Sequence, residues 1–129
     1  MSSRKWTCMC GEFEGEVSGD PALACWCHCG TCRKQTGAAM QLGVWGDDKF
    51  KVNKGSDSLI KYGSTEGKVF RLSCSKCGSF CYKILPDGAK VAPLGALEPL
   101  VAPTCHIFVK HKGNQPIMFP ELPQHDEFP

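Results

Sequence analysis

Apolar residues come in short bursts along this chain. AAMQLGVW (38–45) alternates crudely between apolar and polar positions, and FKV, SLIKY, KVFRLSC, FCYKIL and HIFVK are equally short, rich in β-branched or aromatic residues and separated by Gly, Asp, Asn or Pro. Bursts of that length with those punctuators predict strands. In the first half only TCRKQT (31–36) reads as a helical turn, closed by Gly37, which can take the left-handed conformation that ends a helix. No long amphipathic helix is visible. Four prolines among the last fourteen residues predict an irregular strap over 112–129. The expected fold class is mainly β.

Size and charge narrow the organisation. A chain of 129 residues, 42% apolar, suits one domain over 1–129 that removes roughly two-thirds of its unfolded surface from water. No shift in composition marks a linker, and there is no repeat or low-complexity tract. The formal charge is +2 with acids interspersed among bases, so no Lys/Arg run tracks a phosphate backbone, which argues against nucleic acid as a partner. MSSRKWTCMC lacks the apolar centre of a signal peptide, and no 18 consecutive apolar residues occur. The expectation is a soluble cytoplasmic protein with no membrane association.

Ten cysteines change the picture. A secreted chain with that count would carry disulfides, whereas a cytosolic one binds metal, and spacing separates the two cases. Three groups stand out: Cys8-x-Cys10-Gly11, Cys27-x-Cys29-x-x-Cys32 and Cys74-x-x-Cys77-Gly78. In a C-x-x-C-G turn two sulfurs converge on one ion while the glycine permits a tight reversal and frees N–H groups for the thiolates. In a C-x-C pair on an extended segment, residues i and i+2 share a face, so two sulfurs again point one way. Two such pairs make a closed tetrahedral site. Zinc suits four-coordinate thiolate ligation best, with an iron centre as the alternative.

The remaining trio supplies three ligands to an ion that takes four. Closed sites are structural and open ones do chemistry. A fourth protein ligand from Cys25, Cys81, Cys105, His28 or His106 would close it. Three thiolates on a divalent ion carry net charge −1, which makes a weak activator of water. Free thiols ionise near pH 8.5, about a unit and a half above neutrality, so such an ion can hold a substrate thiol as thiolate.

These residues resemble the glutathione-dependent formaldehyde-activating enzymes and their relatives, the centromere protein V-type domains. The matching motifs, in order, are CMCG, CHCGTCRKQTG, SCSKCGS after Arg71, GALE (95–98) and HIFV (106–109). The resemblance implies an Mss4-like β-sandwich of short antiparallel strands with zinc knuckles. It implies a structural zinc on Cys8, Cys10, Cys74 and Cys77, and a second, catalytic zinc on Cys27, Cys29 and Cys32. It also implies a carbon–sulfur lyase or synthase acting on a small thiol such as glutathione or its adduct, the name reaction being glutathione plus formaldehyde to S-(hydroxymethyl)glutathione. The alternative class is a non-catalytic zinc module for protein or chromatin binding.

Several further residues lie close in sequence to these ligands. His28 lies between two of them, so its side chain should point away from the metal, with proton transfer or substrate contact as its functional reading. Arg33 and Lys34 follow Cys32 and are either solvated cations or counter-charges that bind a substrate carboxylate. His106 is expected to be a hydrogen-bonded core or rim residue, and Trp6, Trp26 and Trp45 packing residues. Cys25, Cys81 and Cys105 are expected to be buried apolar filler.

Overall fold

The apolar bursts fold as strands. In the computed structural model, which describes residues 2–129, the regular elements are β1 (Ser3–Thr7), β2 (Glu14–Ser18), β3 (Leu23–Cys27), α1 (Gly30–Thr36), β4 (Met40–Trp45), β5 (Phe50–Lys54), β6 (Leu59–Ser64), β7 (Val69–Cys74), β8 (Phe80–Ile84), β9 (Lys90–Pro93) and β10 (Cys105–Ile107). The small sheet has the order β1-β2-β5, and the large one β10-β3-β4-β9-β8-β7-β6. Every pair is antiparallel except β10 with β3. The α-helix is short, as TCRKQT predicts, and ends at Gly37 with φ 82.

Strands β3, β4, β8 and β9 of the large sheet bury side chains, and alternation along the sheet sorts two cores, one on each face. Ala24, Trp45, Leu72, Tyr82 and Ala92 join Trp6, Phe13 and Val17 beneath the small sheet. Their neighbours Cys25, Cys27, Met40, Leu42 and Val91 point to the opposite face, where they pack with Cys32 of α1 and with Cys105 and Ile107 of β10. Trp6 and Trp45 are buried packing residues, and Trp26 is half-buried. In the first core, Gly15 of β2 lies flat against the Trp6 indole: a Cβ there would stand 2.5 Å from the ring. An indole held by a hydrogen bond from its Nε1 to the Cys81 carbonyl (2.9 Å) cannot step aside cheaply. Gly15→Ala is therefore expected to cost about 1–3 kcal/mol by overpacking, read as a lowered denaturant midpoint with an unchanged slope.

HIFVK forms a shorter strand than its pattern predicts. Phe108 takes φ 55, in the left-handed region, and turns the chain into a 3₁₀ turn over Val109–His111. The chain beyond is irregular and covers the β10 edge. His106 N–H donates to the Pro123 carbonyl (2.8 Å), His125 N–H to the His106 carbonyl (2.9 Å) and Phe108 N–H to the Glu127 carbonyl (3.1 Å). An edge strand paired in this way offers no open ladder to another chain.

Candidate metal centres

Two groups of sulfurs converge. Cys8, Cys10, Cys74 and Cys77 bring their Sγ atoms within 4.8 Å of one another, with Cys8 to Cys10 at 3.6 Å and Cys10 to Cys74 at 3.7 Å. Four sulfurs bonded at about 2.3 Å to one tetrahedral ion would stand about 3.8 Å apart. Both turns have knuckle geometry. Gly11 and Gly78 each take φ 78, and their N–H groups donate to the carbonyls of Cys8 (3.1 Å) and Cys74 (2.8 Å). The Phe13 N–H reaches Cys8 Sγ at 3.3 Å and the Lys76 N–H reaches Cys74 Sγ at 3.4 Å, the dipoles a thiolate needs. The Ser79 hydroxyl and N–H bring the Cys77 thiol down to about 5.

Cys27, Cys29 and Cys32 form the second group, on the other face of the large sheet. Their sulfurs lie 3.5 Å (27 to 29) and 3.4 Å (32 to 27) apart. Strand β3 delivers Cys27, and the chain then turns into α1 with Cys29 as its N-cap, whose sulfur accepts the Cys32 N–H at 3.4 Å. Hydrogen bonds from Cys27 and Cys32 hold the Cys29 thiol far below its ordinary range, against the effect of burial. The same contacts push the Cys27 thiol up, so the three sulfurs share their protons and Cys29 is the one that favours the thiolate. Among the described residues, Cys25, Cys81, Cys105, His28 and His106 do not join this group. Cys25, Cys81 and Cys105 are buried, as filler should be.

His28 does turn away from the sulfurs. Its ring is buried, with Nε2 3.0 Å from His106 Nδ1, while His106 Nε2 lies 3.1 Å from the Phe119 carbonyl. A carbonyl only accepts, so His106 carries its proton on Nε2 and takes a hydrogen bond on Nδ1 from His28 Nε2–H. Burial, and the nearby positive groups, push the His28 imidazole below its usual range, which favours this neutral chain. Arg33 is spent on backbone: Nε donates to the His28 carbonyl (3.2 Å) and Nη2 to the His111 carbonyl (2.8 Å). Lys34 is exposed on a groove beside the trio that also contains Thr31, Gln35 and Arg71.

The cations at the trio come from elsewhere. Arg71 Nη2 lies 3.6 Å and Lys83 Nζ 3.8 Å from Cys32 Sγ, and both side chains are buried. They are direct partners across β7 and β8, an arrangement of like charges that costs stability unless an anion sits beside it. Neither forms an ion pair with a carboxylate among the described residues. Arg71 is otherwise fixed by Ser64 Oγ (3.2 Å), Gln35 Oε1 (2.6 Å) and Thr31 Oγ1 (3.0 Å). Lys83 keeps donors to spare. The sequence signal was a lone charge inside each of two apolar strands, VFRLSC and FCYKIL.

A cavity of about 310 Å³ opens onto the trio, with Cys27, Cys29, Arg71 and Lys83 in its wall. The arrangement presents three converging sulfurs, room for a further ligand and a positive surround.

Comparison with known families gives a match over residues 3–111 to the family model GFA, glutathione-dependent formaldehyde-activating enzyme. Comparison with curated proteins gives no match. Among solved structures, the crystal structure of a Rhodobacter sphaeroides protein is similar, with a TM-score of 0.60 and 24% identity over 93% of this chain and 98% of that one. That likeness shows a shared fold.

Proposed function

The chain belongs to the glutathione-dependent formaldehyde-activating enzyme family, and from that premise we propose that it is a zinc-dependent carbon–sulfur lyase or synthase resembling S-(hydroxymethyl)glutathione synthase. In this reading Cys8, Cys10, Cys74 and Cys77 hold a structural zinc, while Cys27, Cys29 and Cys32 hold a second one at the reacting sulfur. The observation that carries it is the charge around the trio. Three thiolates and a divalent ion sum to −1, and the two buried cations Arg71 and Lys83 bring the total to +1. One further anion closes the balance, and a thiolate is the anion that suits a thiolate-rich site.

Zinc bound there supplies the Lewis acidity that keeps a thiol ionised at neutral pH. The chain's own groups do the rest. Arg71 ties Cys32 and, through Thr31 and Gln35, the whole of α1 to β7, so the three sulfurs keep one spacing. Lys83, on the cavity wall, presents its remaining N–H groups to the space in front of the sulfurs. When a thiolate adds to a carbonyl, its electron pair forms the C–S bond and the negative charge passes to oxygen. Lys83 stabilises that charge in either position. Holding both partners in one cavity supplies the proximity term.

Cobalt in place of zinc makes the trio visible. Titration with a panel of small thiols is expected to intensify and shift the sulfur-to-cobalt absorption as a fourth sulfur joins. A spectrum that no thiol alters would remove the enzyme reading and leave a non-catalytic zinc module for protein or chromatin binding.

A further inference from the structure

We propose that the sulfur compound handled at the trio carries an apolar organic group, aliphatic or aromatic, held in the cavity beside the sulfurs; this rests on the carbon–sulfur reading above. The volume argues first. About 310 Å³ is several times what a one-carbon aldehyde needs, since a cavity of about 150 Å³ already accommodates benzene. The lining argues second. Beyond the sulfurs, the two cations and the threonines Thr31 and Thr65, the walls are built by apolar side chains such as Leu42, Val44, Val91, Ile107 and Phe108. Phe128 of the strap closes one side, its ring edge-on to Phe108 with centroids 5.0 Å apart at 78°.

The polar supply argues third. Glutathione carries two carboxylates, an ammonium and two amides, and each would need a partner once inside. Arg71 is largely committed to Ser64, Gln35, Thr31 and Cys32, which leaves Lys83 as the cation with donors free. One ammonium serves the reacting sulfur or oxygen and cannot also satisfy a tripeptide. Polar parts of a thiol have a place outside, in the groove with Lys34 and Gln35 on the far side of Arg71. The chamber itself recognises hydrocarbon.

The test uses the full chain loaded with cobalt and reads affinity from the visible spectrum, with ethanethiol, butanethiol, hexanethiol, benzyl mercaptan and glutathione as probes. Affinity is expected to rise about three- to fourfold per methylene, on the order of a hundredfold from ethanethiol to hexanethiol, with benzyl mercaptan also ahead of glutathione. Phe128→Ala, at a half-exposed rim position, is expected to cut the hexanethiol-to-ethanethiol ratio several-fold. Equal affinity along the series, glutathione ahead of hexanethiol, or a gradient untouched by Phe128→Ala overturns the apolar assignment while the fourth-sulfur reading stands. Silence with every thiol overturns both.

Discussion

Cys74→Ser is expected to yield a chain that does not fold: aggregated on expression or, if recovered, without a cooperative unfolding transition. Cys74 ends β7 with no exposure, and its sulfur lies 3.7 Å from that of Cys10, 64 residues earlier in the chain. An ion on these four sulfurs would fasten the turn after β1 to the turn between β7 and β8. Apparent binding energies of about 10–16 kcal/mol for zinc in finger peptides compare with total stabilities of about 5–15 kcal/mol for whole domains. Removing one ligand therefore threatens a term as large as the fold's entire margin. Cys81→Ser is the control. Cys81 is equally buried and donates to the Ser79 carbonyl at 3.5 Å, but its sulfur lies outside the group of four, so its replacement should cost about 1–3 kcal/mol and retain both metals. Well-folded Cys74→Ser protein with a sharp thermal transition would show that the clasp does not hold the fold.

What could be read in advance was local. A cysteine pair with its glycine specifies a turn within five residues, and Gly37 specifies a helix end by its freedom at positive φ. Those features survive any tertiary context. Phe108 marks the limit: a phenylalanine at φ 55 has no sequence signature, so HIFVK read as a longer strand than β10. The electrostatics of the trio are set at longer range. Arg33 and Lys34 are adjacent to Cys32 in sequence, yet the helix aims Arg33 at the carbonyls of His28 and His111 and leaves Lys34 exposed on a groove. The counter-charges come from strands 39 and 51 residues further on, and only the β7–β8 register places them side by side at Cys32. The contact of His28 with His106 spans 78 residues and is likewise set by pairing, here of β10 with β3. Which sulfurs converge is legible in spacing, whereas the field around them is a property of the sheet.

Cys29→Ser is expected to separate the two centres completely, giving a folded protein with one metal per chain instead of two and no spectral response to any thiol. Cys27, Cys29 and Cys32 lie within one six-residue segment, so an ion on them closes a very short loop and constrains the unfolded chain little. The helix should survive as well. Cys29 caps α1 by accepting the Cys32 N–H, and serine is among the preferred residues for that role. What the hydroxyl does not supply is a thiolate. With two sulfurs left and the cations Arg71 and Lys83 unopposed at 3.6 and 3.8 Å from Cys32, the site loses affinity for a thiophilic ion while the positive field remains. A fall in Tm of at most several degrees should accompany complete loss of the thiol response. Cys25→Ser is the matched control on the same strand, and because the Cys25 sulfur lies outside the trio it should keep both metals and the response. If Cys29→Ser unfolds like Cys74→Ser, the trio is a second structural clasp; if it keeps two metals and still answers to thiols, Cys29 is not a ligand.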